Sequence, residues 1–202
     1  MRPGESLSER EARQVLLGTQ IFFFATVLLC LLIVHGEIVE NDGISYFGID
    51  HRTVEVLVLS FTVAAYGLWR TSTYFQKVQA PVLLVTGLRA IAVSLFVLLI
   101  TPFNKGTFLN WTHMITGVAM ALVELAIAVQ LSVDHRSTAS VAALSIGLAG
   151  GILAALSLPN WNFPHLLQGE IIYELGFSWC LFQWLRVAAA ERERTLFKQS
   201  QR

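Results

Sequence analysis

Six apolar stretches, most of them long enough to cross a lipid bilayer as a helix, constrain this chain more than any other feature of its sequence. They cover residues 15–34, 54–69, 80–101, 111–131, 139–158 and 169–187. A helix needs about 20 residues to cross the ~30 Å hydrocarbon core, so we expect the short second helix to continue through 71–75. Only 14% of the residues are charged, whereas a soluble domain has about 25%. The sequence therefore predicts an all-α, polytopic membrane protein, a bundle of six transmembrane helices.

The asymmetric distribution of Lys and Arg predicts the orientation of this bundle. If all six stretches cross the membrane, one side collects Arg2, Arg10, Arg13, Arg70, Lys77, Arg136, Arg186, Arg192, Arg194, Lys198 and Arg202. The other side holds only Arg52 and Lys105. Because cytoplasmic loops carry an excess of basic residues, we expect both termini to be cytoplasmic. The chain then divides into a cytoplasmic interfacial segment (1–14), a six-helix transmembrane domain (15–187) and a cytoplasmic helical tail (188–202).

Net charge, cysteine placement and missing motifs narrow the range of functions. The net charge is zero, so no basic surface predicts a nucleic-acid partner. Cys30 and Cys180 both lie inside apolar stretches and form no C-x-x-C, which is typical of small buried hydrophobic residues. The sequence has no G-x-S-x-G elbow, no P-loop and no C-x-x-C-H haem site. These absences favour a non-enzymatic role.

Two opposite charges lie deep inside consecutive apolar stretches. Arg89 is nine residues after Ala80, and Glu124 is seven residues before Leu131. At 1.5 Å per residue, they lie about 14 Å and about 11 Å from the same side of the membrane. A charge at the bilayer centre costs from about 3 to more than 10 kcal/mol. We therefore expect Arg89 and Glu124 to form an intramembrane ion pair, either structural or part of a gate or proton-coupled site.

A second polar cluster is predicted at the opposite, outer end of the bundle. Glu170, Glu174 and Ser178 recur every four residues and share one face of the sixth helix, while Glu55 opens the second span and His113 the fourth. We expect these five residues to line an outward-facing pocket built by spans two, four and six. Three interpretations stay open: a polar pocket without metal, a structural cluster, or a metal site, since His and carboxylate suit Zn. Because no H-E-x-x-H or comparable motif occurs, we expect no metal and no other cofactor.

The fifth span carries a row of small residues. Ala143, Gly147, Gly151 and Ala155 recur every four residues, with Gly150 beside them. Small faces let helix backbones approach closely in lipid, where packing replaces the hydrophobic effect. We predict close helix packing here, inside the bundle or against another subunit.

Several short motifs resemble a known family. The first outer loop contains Gly-Ile-Ser-Tyr-Phe-Gly at 43–48, the fourth span opens with Trp-Thr-His at 111–113, and the sixth begins His-Leu-Leu-Gln-Gly-Glu at 165–170. Together with the span spacing, they resemble a bacterial six-span membrane family of unknown function, distantly similar to the eukaryotic autophagy-modulator and FGF-receptor-activating-protein group. The resemblance covers nearly the whole chain. It implies a six-helix bundle with a polar site on the non-cytoplasmic side, and it implies no reaction. Tyr46 stands where that family usually has an acidic residue.

These observations predict an integral protein of a bacterial cytoplasmic membrane that binds a lipid or small polar ligand in the outward-facing pocket, without catalysis. One alternative is a membrane-embedded Glu/His hydrolase, with or without a metal. Another is an assembly subunit that docks through the small-residue face of span five. The expected partners are membrane lipid, a small polar ligand, and another membrane protein or a second copy of the chain.

Overall fold

A computed structural model describes residues 9–34, 43–134, 136–157 and 163–200, with side chains described up to residue 187. Its α-helices are α1 (Glu9–Ile33), α2 (Val54–Lys77), α3 (Val82–Ile100), α4 (Thr107–Asp134), α5 (Thr138–Leu156) and α6 (Leu166–Ser200). A 3₁₀ helix, Ile44–Gly48, lies between α1 and α2. All regular secondary structure in the described ranges is helical, which confirms the all-α prediction.

Five helices, α1 to α5, are long and apolar enough to cross a membrane. Large apolar side chains remain exposed along them, such as Ile21 on α1, Leu122 on α4 and Ile152 on α5, each about 60% exposed. Exposed apolar surface on this scale suits lipid rather than water. The protein is therefore a multi-pass membrane protein. With 35 residues, α6 is longer than the others, and it lies outside this apolar set because it carries Glu170, Glu174 and Gln183 among its apolar residues.

Two helix bounds predicted from the sequence are confirmed. The second helix continues past its apolar stretch to Lys77. The last helix continues as one element to Ser200, beyond the predicted end of the span. The helix α1 begins at Glu9, inside the segment that the sequence predicts to be interfacial, and residues 1–8 lie outside the described ranges.

Each helix packs against the next along the chain, and α6 also contacts α4 and α1. The last helix therefore packs against α1, α4 and α5, which can cover its polar side chains, and its Trp184 ring also meets the Phe75 ring of α2. One example is Ser178, whose hydroxyl donates a 2.8 Å hydrogen bond to the Gln20 side-chain oxygen of α1. Both residues are buried. This arrangement explains how α6 tolerates polar residues inside an otherwise apolar bundle.

The contact between α5 and α6 is the most extensive of the bundle and brings the two backbones together. A Cβ added to Gly150 would lie 2.8 Å from the carbonyl oxygen of Gly169. A Cβ added to Gly176 would lie 2.8 Å from the carbonyl oxygen of Ala143. Only glycine allows helices to approach this closely, so the prediction of close packing on span five is confirmed.

The face that packs differs in part from the predicted four-residue row. Ala143 and Gly147 are buried, but Ala155 is exposed and a Cβ on Gly151 would meet only the ring of Tyr173, at 3.2 Å. A four-residue step advances 400°, so a strict row drifts about 40° around the helix at each step. The contact instead follows a mixed three- and four-residue spacing through Gly150. The helix α6 therefore covers Ala143, Gly147 and Gly150, whereas Ala155 stays exposed.

We predict that Gly150→Ala lowers the stability of the protein by about 1–3 kcal/mol, because the new methyl group forces α5 and α6 apart. Gly117→Ala on α4 is the matched control, since a Cβ there meets no atom within 4 Å. Thermal unfolding of both variants in detergent measures the difference. Equal unfolding midpoints for the two variants would contradict the packing described here.

Candidate functional site

The 3₁₀ helix folds onto the end of the bundle, as its apolar sequence predicts. Ile44 and Phe47 are buried, and the hydroxyl of Thr53 donates to the Phe47 carbonyl at 2.9 Å. At the start of α2, Asp50 accepts hydrogen bonds from the side chain and the backbone of Arg52. These hydrogen bonds from Arg52 lower the pKa of Asp50 from its ordinary value to about 2. The segment is thereby held in place over the helix ends.

A serine and a histidine meet beside the 3₁₀ helix. Nδ1 of His113 on α4 lies 2.7 Å from the carbonyl oxygen of Thr101, and its Nε2 lies 2.8 Å from the hydroxyl of Ser45. A carbonyl oxygen can only accept, so Nδ1 must carry the proton. In the neutral ring, Nε2 is then the acceptor and the Ser45 hydroxyl is the donor. The Thr101 carbonyl thus selects the tautomer of His113 that is protonated at Nδ1 and presents the Nε2 lone pair to Ser45.

Ser45 and His113 line a cavity, which we call the 3₁₀ cavity. Its volume is about 40 Å³, and it lies between the 3₁₀ helix, α2, α3 and α4. The rest of its wall is almost wholly apolar: Gly48, Ile49, Val54, Leu57, Val58, Phe61, Leu98, Leu99, Pro102 and Phe103. A buried water requires roughly 10–15 Å³, so a few waters or one small functional group can enter. Val58 is 43% exposed, so one side of this cavity borders the lipid-facing surface.

Three carboxyl groups, Glu170, Glu174 and Glu124, form a second polar feature, which we call the carboxyl chain. Glu170 accepts a 2.6 Å hydrogen bond from the backbone N–H of Ile44. Glu170 and Glu174 lie one turn apart on α6 and interact electrostatically, and the carboxyl group of Glu174 meets that of Glu124 on α4. The chain therefore runs from the 3₁₀ helix to the contact between α4 and α6.

The inner end of the carboxyl chain is buried and incompletely paired. Glu124 is 2% exposed, and its Oε2 has no hydrogen-bond partner in the part of the chain that the structure describes. It lines a cavity of about 10 Å³ between α4, α5 and α6, just large enough for one water molecule. Tyr173, on the same wall, donates its hydroxyl proton to the carbonyl oxygen of Ala121.

The prediction of one pocket lined by five residues is wrong, because the structure distributes them among four places. His113 alone lines the 3₁₀ cavity, while Glu170 and Glu174 belong to the carboxyl chain. The side chain of Ser178 points to α1, where it binds Gln20, and Glu55 is exposed at the start of α2. The shared helical face of α6 is real, but it points toward α1, α4 and the 3₁₀ helix rather than toward α2.

The predicted ion pair between Arg89 and Glu124 is also corrected. Arg89 donates from Nε to the Ser72 hydroxyl at 3.2 Å and from Nη2 to the Gln76 side-chain oxygen at 2.6 Å, and its guanidinium lies 5.5 Å from the centre of the Trp69 ring. All three partners are on α2. Both residues lie in long apolar helices, but their side chains point in different directions around those helices.

The reason lies in the face with which α3 and α4 meet. A Cβ added to Gly87 of α3 would lie 2.7 Å from the Ile127 side chain of α4, so these two positions define the contact. Arg89 is two residues from Gly87, about 200° around α3, and therefore faces α2. Glu124 is three residues before Ile127, offset about 60°, and faces α6.

One question about this end of the bundle is whether its side chains could hold a metal ion. Among the described residues, no group of three or more His, Cys, Asp or Glu side chains is arranged to hold a metal ion.

Sequence reasoning overlooked Ser45, although it lies in the Gly-Ile-Ser motif of the loop and comes into contact with the Trp-Thr-His motif of α4. A serine in a loop carries no periodic signal, so only its histidine partner reveals its position.

No protein-family model, no curated protein and no solved structure matches the chain. The chemistry of the site must therefore be argued from its own residues.

We predict that Arg89→Ala and Glu124→Gln destabilise the protein independently, because the two side chains share no partner. Arg89→Ala should cost about 1.5–3 kcal/mol through the loss of charged hydrogen bonds. The double variant should equal the sum of the single variants to within about 0.5 kcal/mol. A double-mutant cycle of unfolding free energies is the measurement. A coupling above about 1 kcal/mol would restore the ion pair that the sequence predicted.

Proposed function

We propose that the protein is a six-span bundle with cytoplasmic termini that binds a lipid or small polar ligand at the 3₁₀ cavity. The sixth span is supported by the packing of α6 along α5, a helix apolar enough to cross the membrane. The backbones of these two helices touch at Gly150 and Gly176, so a layer crossed by α5 would also be crossed by α6. The basic residues support the orientation, and a bacterial cytoplasmic membrane is part of the same proposal.

The Ser45–His113 pair in the wall of an apolar cavity is the observation that carries the binding proposal. Ligand sites are mostly apolar, with few polar groups that fix the orientation of the ligand. Here Ser45 and His113 supply the polar groups, and the side chains of α2 and α3 supply the apolar wall. The cavity of about 40 Å³ accommodates only a small part of a lipid. The exposed Val58 on its wall leaves the acyl chain free to lie along α2 in the membrane.

We expect wild-type protein, purified in mild detergent, to retain about one lipid or small polar molecule per chain in native mass spectrometry. His113→Phe should weaken this binding about tenfold, equivalent to about 1.4 kcal/mol, because it removes the polar contact. His165→Phe is the matched control, since His165 is exposed outside the cavity. The same retained fraction in both variants would refute the binding site.

A second candidate, a membrane hydrolase, is favoured by the geometry of the same two residues. Ser45, His113 and the Thr101 carbonyl form the order of nucleophile, base and orienting group that serine hydrolases use. The serine Oγ would attack an ester carbonyl carbon while its proton passes to Nε2 of His113. The imidazolium would then protonate the departing alkoxide, and water would release the acyl group. In this mechanism, the Ser45–His113 pair takes the place of the Glu/His pair that the sequence predicts for a hydrolase.

A fluorophosphonate probe separates the two candidates, because it phosphonylates an activated serine. If the protein is a hydrolase, the probe should label Ser45 in the wild type, and labelling should fall at least about 10²-fold in His113→Ala, the usual size of a general-base contribution. Mass spectrometry of the labelled peptide is the measurement, with Ser60, buried on α2, as the internal control. Absence of labelling at Ser45 favours the non-enzymatic binding protein.

A further inference from the structure

The carboxyl chain lies apart from the 3₁₀ cavity, and neither candidate function uses it. Its three members come from two helices, and no basic side chain of the described part of the chain figures among their partners. In a membrane-embedded bundle, three uncompensated negative charges at this spacing would be prohibitively costly. Protonation of the carboxyl groups removes this charge without any basic side chain.

Two carboxyl groups, those of Glu124 and Glu174, meet at the contact between α4 and α6. An ionised carboxylate can only accept hydrogen bonds, whereas a protonated carboxyl group also donates one. Two ionised carboxylates in contact repel each other, whereas a protonated group can donate to its neighbour, so the contact between these two side chains favours a proton on at least one of them. Two interacting carboxyl groups that share a proton titrate as a pair rather than as separate residues.

The unpaired oxygen of Glu124 points to the same ligand. Its side chain is 2% exposed, and Oε2 faces the small cavity between α4, α5 and α6 without a described partner. The α5 wall of that cavity consists of Ala143, Leu144, Gly147 and Leu148, which offer no side-chain ligand. A metal cation would find no side-chain oxygen on that wall and would depend on the carboxyl groups alone, whereas a proton needs only one carboxyl oxygen.

We propose that Glu124, Glu174 and Glu170 form a proton-binding site, in which a chain of carboxyl groups exchanges protons with the side of the membrane that carries the 3₁₀ helix. This proposal does not rest on ligand binding or catalysis at the 3₁₀ cavity. Glu170 is the outer member, because it contacts the backbone N–H of Ile44. Glu174 passes a proton between Glu170 and Glu124, which is the innermost member.

In the described part of the chain, no further carboxyl or basic side chain acts on the three carboxyl groups. On α6, the Tyr173 hydroxyl is donated to the Ala121 carbonyl, and Cys180 interacts with Tyr173 from one side. The 3₁₀ helix contributes only a backbone N–H, and α5 contributes no titratable side chain to the inner cavity. The carboxyl groups themselves are therefore the proton-binding groups.

Infrared spectroscopy of the full chain in lipid vesicles tests this site directly. Wild-type protein at pH 7 should show the carbonyl stretch of protonated carboxyl groups, identified by its shift in D₂O. Glu124→Gln and Glu174→Gln should each remove at least about half of this band, since each removes one partner of the shared proton. Glu55→Gln, an exposed control, should leave it unchanged. Two variants of the pair are used so that failure of one to fold leaves the other decisive.

Absence of the band in the wild type, or its persistence in both variants, would overturn the proposal. Loss of the band when sodium replaces choline at constant pH would also overturn it, in favour of a metal-cation site. The proposed entry of protons through Glu170 is tested by the rate of hydrogen–deuterium exchange, measured as the rate at which the carbonyl band shifts in D₂O. Glu170→Gln should slow this exchange about tenfold, and an unchanged rate would refute entry through Glu170. None of these measurements depends on a ligand at the 3₁₀ cavity.

Discussion

The burial of carboxyl groups within a membrane-embedded bundle is the constraint on which the arrangement of the helices depends. Glu170 and Glu174 make α6 the least suitable helix to face lipid, so it must be covered by protein. It packs against α5 through glycine contacts that bring the backbones together, and it also contacts α1 and α4. Each polar side chain described here on its buried face then meets a polar partner: Ile44, Glu124 or Gln20.

The 3₁₀ helix connects the two polar sites through consecutive residues. The backbone N–H of Ile44 binds Glu170, at the outer end of the carboxyl chain, and the hydroxyl of Ser45 binds His113 in the wall of the 3₁₀ cavity. A movement of this short helix would therefore change both sites at once. Gly43 shows how tightly it is seated, since a Cβ there would lie 2.6 Å from a carboxyl oxygen of Glu170.

Much of the fold was predictable, whereas the partners of individual polar residues were not. The apolar stretches predicted the helices, and the small residues of span five predicted a close helix contact. Arg89 and Glu124 stood out as opposite charges inside consecutive apolar stretches, but that pattern did not predict that they face different neighbours. Likewise, one face of α6 united Glu170, Glu174 and Ser178, yet three different elements meet that face.

The sequence by itself determined the helical class and the membrane location, because hydropathy and length act locally and need no knowledge of neighbours. Only the tertiary structure decided which polar groups meet. Ser45 and His113 are 68 positions apart, and Ile44 and Glu170 are 126 apart. Such contacts depend on the rotation of each helix about its axis, which is set by where glycine backbones touch, as Gly87 does at α4 and Gly150 at α6. A shift of one residue in those contacts would turn a side chain by about 100° and give it another partner.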